Sequence, residues 1–265
     1  MFDSHCHLQN PELDEERPAL IARAQAAGVS GLLLAGVSPE GWEDEDRLAR
    51  AHPGLFAVAY GVHPQLVAEV EDGEAGAMVQ ALGRSLGGGP LVRPVAVGEI
   101  GLDGQGARAE SLDRQERHFR EQLALARAHD LPVVLHILEA QGRALAILRR
   151  DGLPRRGGVV HSCSASAEMV RQYLALGLHV SFAGPVTLPG ARKLHAAARA
   201  VPRERLLVET DAPFQTPLAH RPARNEPSFL LTVVEALAGL RGEDMAEVAE
   251  RTEDNARRLF ELPRA

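Results

Sequence analysis

PVVLHI, residues 132–137, runs from a proline through three aliphatic side chains to a histidine. A stretch this short and this continuously apolar predicts a strand buried on both faces, as parallel sheets require. The chain repeats the device at MFDSHC (1–6), GLLLAG (31–36), LFAVAYG (55–61), PVAVGEI (94–100), GGVVHS (157–162), LHVSFAG (178–184) and RLLVET (205–210). Helical patterns lie between them. One starts near Ser111, a candidate N-cap, with Phe119, Leu123 and Ala126 at helical spacing, and another ends before Pro202, which cannot continue it. The last, over 243–261, sets Met245, Val248, Ala249, Ala256, Leu259 and Phe260 on one stripe. Eight strands each followed by helical sequence predict an α/β fold, a (β/α)8 TIM barrel. A doubly wound open sheet is the alternative, but no Gly-rich dinucleotide fingerprint accompanies it. ALGRSLGGGP (81–90) reads as a helix end and a loop, because its glycines lead into a strand and do not open a helix.

The 265 residues suit a single barrel domain, 1–265, without repeats or low-complexity tracts. Hydrophobic residues at 45% support a sizeable core. A net charge of −7 argues against broad adhesion to nucleic acid or anionic lipid, yet leaves room for a phosphate substrate where a metal reverses the sign locally. Lys193 is the one lysine. With no signal-like start, no apolar run of roughly 18 residues and two cysteines, the chain is expected to be soluble and cytoplasmic, with no membrane and no obligate protein partner.

The polar residues gather at one end of this map. In DSHCHL (3–8), alternation points His5 and His7 the same way and Cys6 toward the helix layer. His63 follows the third strand, Glu99 sits near the end of the fourth, His136 and His161 close the fifth and sixth, and Asp211 follows the eighth. All fall at the carboxyl ends, where barrel enzymes build their active sites. The other six of the eleven histidines (His52, His118, His129, His179, His195, His220) fall elsewhere and carry no assigned chemistry. Singly, each member of the set has an ordinary structural reading, such as a hydrogen-bonded strand end or a turn at Asp211-Ala-Pro. Together, burying so many imidazoles and two carboxylates is costly unless a divalent cation pairs them. His5, His7, Glu99, His136, His161 and Asp211 are too many for one ion of roughly three protein ligands and suit two ions sharing Glu99. Lys193 lies in a helical pattern, which disfavours a carbamylated lysine as the bridge.

With DSHCHL, GVHP, GEIGLD, LPVVLH, ETDAP and RNEP in order, the chain resembles the TatD family of metal-dependent hydrolases across essentially its whole length. The resemblance implies a barrel with a binuclear metal centre and, in several members, deoxyribonuclease activity from 3′ ends. It implies His5, His7 and Asp211 for one metal, Glu99 as the bridging carboxylate, and His136 and His161 for the second. His63 of GVHP and Arg224 of RNEP would meet substrate phosphate. Two departures stand out: HILEA (136–140) has Leu138 where the family commonly has arginine, and HSCSAS (161–166) replaces the usual H-C-F-S-G-S. Neither removes a ligand; the first removes a phosphate-binding cation.

The expected reaction is hydrolysis of a phosphodiester at DNA ends by a water activated between two divalent ions, with Asp211 accepting its proton and His63 and Arg224 offsetting charge at phosphorus. Glu99, Asp211 and His63 are thus the expected catalytic residues. Glu209, two residues before Asp211, would anchor a ligating histidine or form a salt bridge inside the barrel. Cys163 stands near His161 without family support as a ligand. Imidazole-rich sites favour Zn, Mn, Ni or Co, whereas Mg, with which family activity is commonly discussed, prefers oxygen. Two other functions compete: an ester or amide hydrolase, such as an aminoacyl-tRNA deacylase or small amidohydrolase, which Leu138 favours, and a binding protein with a vestigial site.

Overall fold

The computed structural model describes residues 1–263. Among these, the strands are β1 (Phe2–Cys6), β2 (Gly31–Ala35), β3 (Phe56–Tyr60), β4 (Ala96–Asp103), β5 (Val133–Leu138), β6 (Gly158–Val160), β7 (His179–Phe182) and β8 (Leu206–Val208). They pair in parallel and in chain order, from β1 to β8. The helices are α1 (Arg17–Ala26), α2 (Pro39–Ala51), α3 (Pro64–Glu69), α4 (Asp72–Leu86) and α5 (Leu112–Ala128). They continue with α6 (Gln141–Asp151), α7 (Ala167–Ala175), α8 (Arg192–Ala200), α9 (Leu230–Arg241) and α10 (Met245–Phe260). The fold is the expected (β/α)8 barrel. Among the described residues, no helix is long and apolar enough to cross a membrane.

Side-chain alternation divides the core into two layers. Phe2, Leu33, Ala59, Ala96, Val134, Val159 and Leu207 meet inside the barrel, over Ala256, Leu259 and Phe260 of α10. Leu32, Leu34, Val58, Tyr60, Val133 and Leu135 belong to the layer between strands and helices, and so does Cys6, as its parity requires. Phe260 is 1% exposed, and its burial contributes about 2–3 kcal/mol. Met245 departs from the expected stripe. It follows the capping Asp244 and stands 41% exposed, one turn short of the residues that reach the core. Ser111 also departs, because its hydroxyl donates to the Arg108 carbonyl at 2.8 Å and leaves the first N–H groups of α5 without that cap.

Two local irregularities aim side chains into the mouth. The β1–β2 register shifts between Asp3 and Cys6, and the β4–β5 register shifts between Val97 and Ile100. Such shifts re-aim side chains beside active sites, and these two flank His5 and Glu99. β4 also runs on to Asp103, so Glu99 sits at mid-strand and not near its end. Gly101 permits this passage: at φ +142°, a Cβ there would lie 2.0 Å from the His136 carbonyl oxygen.

β6 and β8 are shorter than expected, because side chains take over the hydrogen bonding beyond Val160 and Val208. Ser162 N–H donates to Glu209 at 2.6 Å, and Thr210 N–H donates to Asp3 at 2.9 Å. The last strand meets the first through the same region. Asp211 N–H donates to the His5 carbonyl at 2.9 Å, and His7 N–H to the Ala212 carbonyl at 2.7 Å. Ser4 Oγ donates to the Val208 carbonyl at 2.9 Å.

At the opposite end, His179 opens β7 and is buried. Burial, helped by the charges of Arg205 and Arg258, lowers its pKa to about 4. The unfolded imidazole titrates near 6.5, so acid favours the unfolded chain as pH falls from about 6.5 toward 4. Urea unfolding at pH 7 and pH 5 should show His179→Gln losing about 2 kcal/mol less stability than the parent. Equal losses in the two proteins would remove His179 as the source.

Candidate metal centre

The carboxyl ends of the strands surround a cavity of about 870 Å³, with His7, His63, Glu99, His136, His161 and Asp211 in its lining. His5 lies beneath them and is fully buried. β1 supplies His5 from its strand and His7 just past its end; β4 and β5 supply Glu99 and His136; the turns after β6 and β8 supply His161 and Asp211. Asp211 has φ +57°, a left-handed conformation that aspartate tolerates better than most residues.

Glu99 is the hub. Its Oε1 lies 2.6 Å from His161 Nε2, 2.8 Å from His136 Nδ1 and 3.0 Å from His63 Nε2. Its Oε2 lies 3.2 Å from His5 Nε2 and 3.6 Å from His7 Nε2. Asp211 Oδ1 faces those same two nitrogens at 3.7 and 3.5 Å. Thus all seven residues singled out at the strand ends converge. Three overlapping groups have ligand atoms within 4.8 Å of one another: His5–His7–Asp211, His5–Glu99–His161 and His63–Glu99–His136.

The electrostatics suit cations. Burial opposes ionisation of Glu99, yet His161, His63 and His5 around it hold its carboxyl well below the usual range. Burial likewise opposes charge on Asp211, but the His7 hydrogen bond and the nearby rings keep its pKa low. Burial also disfavours charge on His161, but Glu99 and Glu209 push its pKa well above the imidazole norm. His5 Nε2 and His7 Nε2 stand only 3.2 Å apart, while Glu99 Oε2 is buried without a hydrogen-bond partner. Facing imidazole nitrogens beside an unpartnered carboxylate oxygen are a donor set that a divalent ion fits.

Four of the five rings are oriented from behind, while the buried His5 Nδ1 has no hydrogen-bond partner among the described residues. His7 Nδ1 faces the Ala35 carbonyl at 3.1 Å, and His136 Nε2 faces Asp103 at 3.3 Å. His161 Nδ1 stands 3.4 Å from Glu209 Oε1, which also accepts the Ser162 N–H. His63 differs. Its Nδ1 accepts the Gln65 N–H at 3.1 Å, and burial lowers its pKa to about 4. A neutral ring with an occupied Nδ1 carries its proton on Nε2, so His63 is built to donate.

Sequence reasoning missed Asp103, Gln65 and Gln215. Gln65 donates to Asp103 Oδ2 at 2.6 Å, and Gln215 donates to Asp211 Oδ2 while accepting from Ser162 Oγ at 2.8 Å. Parity could have found Asp103, which shares the face of Glu99 four residues on. Arg224 is not brought to the others. It pairs with Glu16 at 2.7 Å, is exposed and does not line the cavity. Its neighbour Asn225 does shape the loop, donating to the Thr210 and Phe214 carbonyls. Cys163 lines the cavity, but burial pushes its thiol up to about 12, which keeps it protonated and a poor ligand. Glu209→Gln, which removes the charge behind His161, should weaken metal affinity about 10- to 100-fold in a calorimetric titration. An unchanged affinity would leave Glu209 as a support for the Ser162 turn alone.

Comparison with known proteins places this geometry among relatives. The family described as TatD related DNase matches residues 2–261. The 3′–5′ ssDNA/RNA exonuclease TatD of Cronobacter sakazakii is 39% identical over 267 residues, covering 98% of this chain and 97% of that one. The Bacillus subtilis protein named uncharacterized metal-dependent hydrolase YabD is 32% identical over 262 residues, 99% of each chain. The crystal structure of YJJV, a TatD homolog from Escherichia coli K12, superposes with a TM-score of 0.91 at 32% identity, over 99% of this chain and 98% of that one.

Proposed function

Because the chain belongs to the TatD family of metal-dependent hydrolases, we propose that it removes nucleotides from the 3′ ends of single-stranded nucleic acid at a two-ion centre. The observation that carries this reading is Glu99, whose two oxygens face two separate sets of imidazoles. His5, His7 and Asp211 would hold one ion, His136 and His161 the other, and Glu99 both. Ions bound there supply Lewis acidity, which acidifies a water and polarises the phosphoryl oxygens.

The remaining steps belong to side chains. Asp211 accepts the proton of the attacking water, with Gln215 on its other oxygen to hold the carboxylate in place. The neutral His63 turns its Nε2–H from Glu99 to a phosphate oxygen as charge develops. The new P–O bond forms as the bond to the 3′-oxygen of the penultimate nucleotide breaks, which yields a 5′-mononucleotide and a shortened chain. Arg224 could assist only by leaving Glu16, and Leu138 offers no cation. The imidazole-rich donor set favours Zn, Mn, Ni or Co over Mg. Buried, unpaired Cys6 and Cys163 support a reducing, cytoplasmic setting, and the common ring of donors supports residues 1–265 acting as one domain.

Single-stranded DNA labelled at either end, incubated with protein loaded with each metal in turn, tests the proposal. Stepwise loss from the 3′ end supports it, and an intact oligonucleotide with every metal overturns it. Leu138 in the wall favours a second reading, an ester or amide hydrolase. Cleavage of an aminoacyl ester beside intact DNA would install that reading.

A further inference from the structure

The cavity walls carry charge of the wrong sign for holding a nucleic-acid backbone. Among the described residues, neither Arg nor Lys lines the cavity, while Glu40 and Asp44 of α2 do. The cations nearby are engaged or set apart: Arg47, exposed on α2, is held in an ion pair with Asp44. Arg224 pairs with Glu16, Arg221 donates to the Thr216 carbonyl at 3.0 Å, and Lys193 is exposed beside the lining residue Leu194 without lining the cavity itself. Leu138, Phe182, Pro185, Leu194 and Phe214 give the cavity an apolar wall. Phe214 is the exposed member, at 54%. Its ring lies edge-on to His7 with centroids 5.9 Å apart, and the Asn225 amide pins its carbonyl at 2.5 Å. A flat apolar face is therefore fixed beside the donor cluster.

Proteins that follow a single strand combine a cationic groove with aromatic stacking. This cavity has the second element without the first. We propose that the site grips its substrate through one phosphodiester and the base beside it, stacked on Phe214, and releases the strand after every cut. The inference rests on the phosphodiesterase reading and adds to it that hydrolysis is distributive. With few phosphates neutralised outside the donor cluster, binding should depend weakly on salt, since each neutralised phosphate of a single strand steepens the log–log slope by about 0.7. Glu40 would repel the phosphates that follow, whereas the charge of Asp44 is offset by its ion pair with Arg47.

The test uses 5′-labelled oligonucleotides in excess over metal-loaded protein, with unlabelled competitor added after the reaction starts. Distributive cutting shortens all chains in step and stops when competitor arrives; KM changes little with salt. Phe214→Ala should raise KM about 5- to 150-fold, the span of losing one stacked base, with kcat within about threefold, and Phe214→Trp should restore KM. Glu40→Lys should lower KM and create a salt dependence that the parent lacks. Fully degraded chains beside untouched ones, a steep salt slope in the parent, or an unchanged KM in Phe214→Ala would each overturn this proposal while leaving the phosphodiesterase reading intact. If no oligonucleotide is shortened with any metal, both readings fall together, and cleavage of a thymidine 5′-aryl phosphodiester alone would leave a small-molecule phosphodiesterase in their place.

Discussion

Replacing Asp211 with Asn should lower kcat by about 10³-fold, because a positioned general base contributes between about 10² and 10⁴. That loss corresponds to about 4 kcal/mol at the barrier. Asparagine keeps one oxygen for the cluster, and a flipped Gln215 amide can accept from its Nδ2–H, so much of the metal should remain and KM should change far less than kcat. Elemental analysis of the variant separates the effects. Retained metal with lost turnover supports proton acceptance at Asp211, whereas retained turnover would remove it from the chemistry.

Glu99→Gln should be more severe, abolishing both metal uptake and hydrolysis. The amide keeps the volume of the carboxylate but removes the charge that five imidazoles face. Loss even of a residue behind a ligand weakens metal affinity about 10- to 100-fold, and removing the carboxylate proposed to serve both ions should exceed that. The parent should also bind metal more weakly in acid. Burial opposes charge on His7, His136 and His161, yet neighbouring carboxylates raise all three pKa values. These rings hold protons to higher pH than ordinary imidazoles and must shed them to coordinate, so affinity falls as pH drops through the neutral range. Calorimetry in two buffers of different ionisation enthalpy should show proton release on binding. Release that persists undiminished in Glu99→Gln would move its origin away from this cluster.

The strands were legible because each is a short apolar run between helical patterns, and their polar endings marked which side chains share a mouth. His5 and His7 could be paired from parity alone. Other contacts depend on neighbours that no local pattern specifies. Gln215 reaches Asp211 across the turn after β8, and Arg224 meets Glu16, which the chain supplies ahead of α1. Met245 matched the spacing of a buried stripe, but the barrel floor ends before it. The extension of β4 beyond Glu99 depends on register shifts and on the close approach at Gly101, which cannot be read from hydrophobic alternation.

The junction between the first and last strands has a consequence for biosynthesis. His5 and His7 are made almost at once, but their partner Asp211 is more than two hundred residues away, and the backbone bonds that unite them also shut the ring. A growing polypeptide on the ribosome therefore lacks the complete donor set until β8 has emerged and docked. Metal uptake and hydrolysis should therefore arise only in the finished barrel, and a nascent chain released before β8 should have neither.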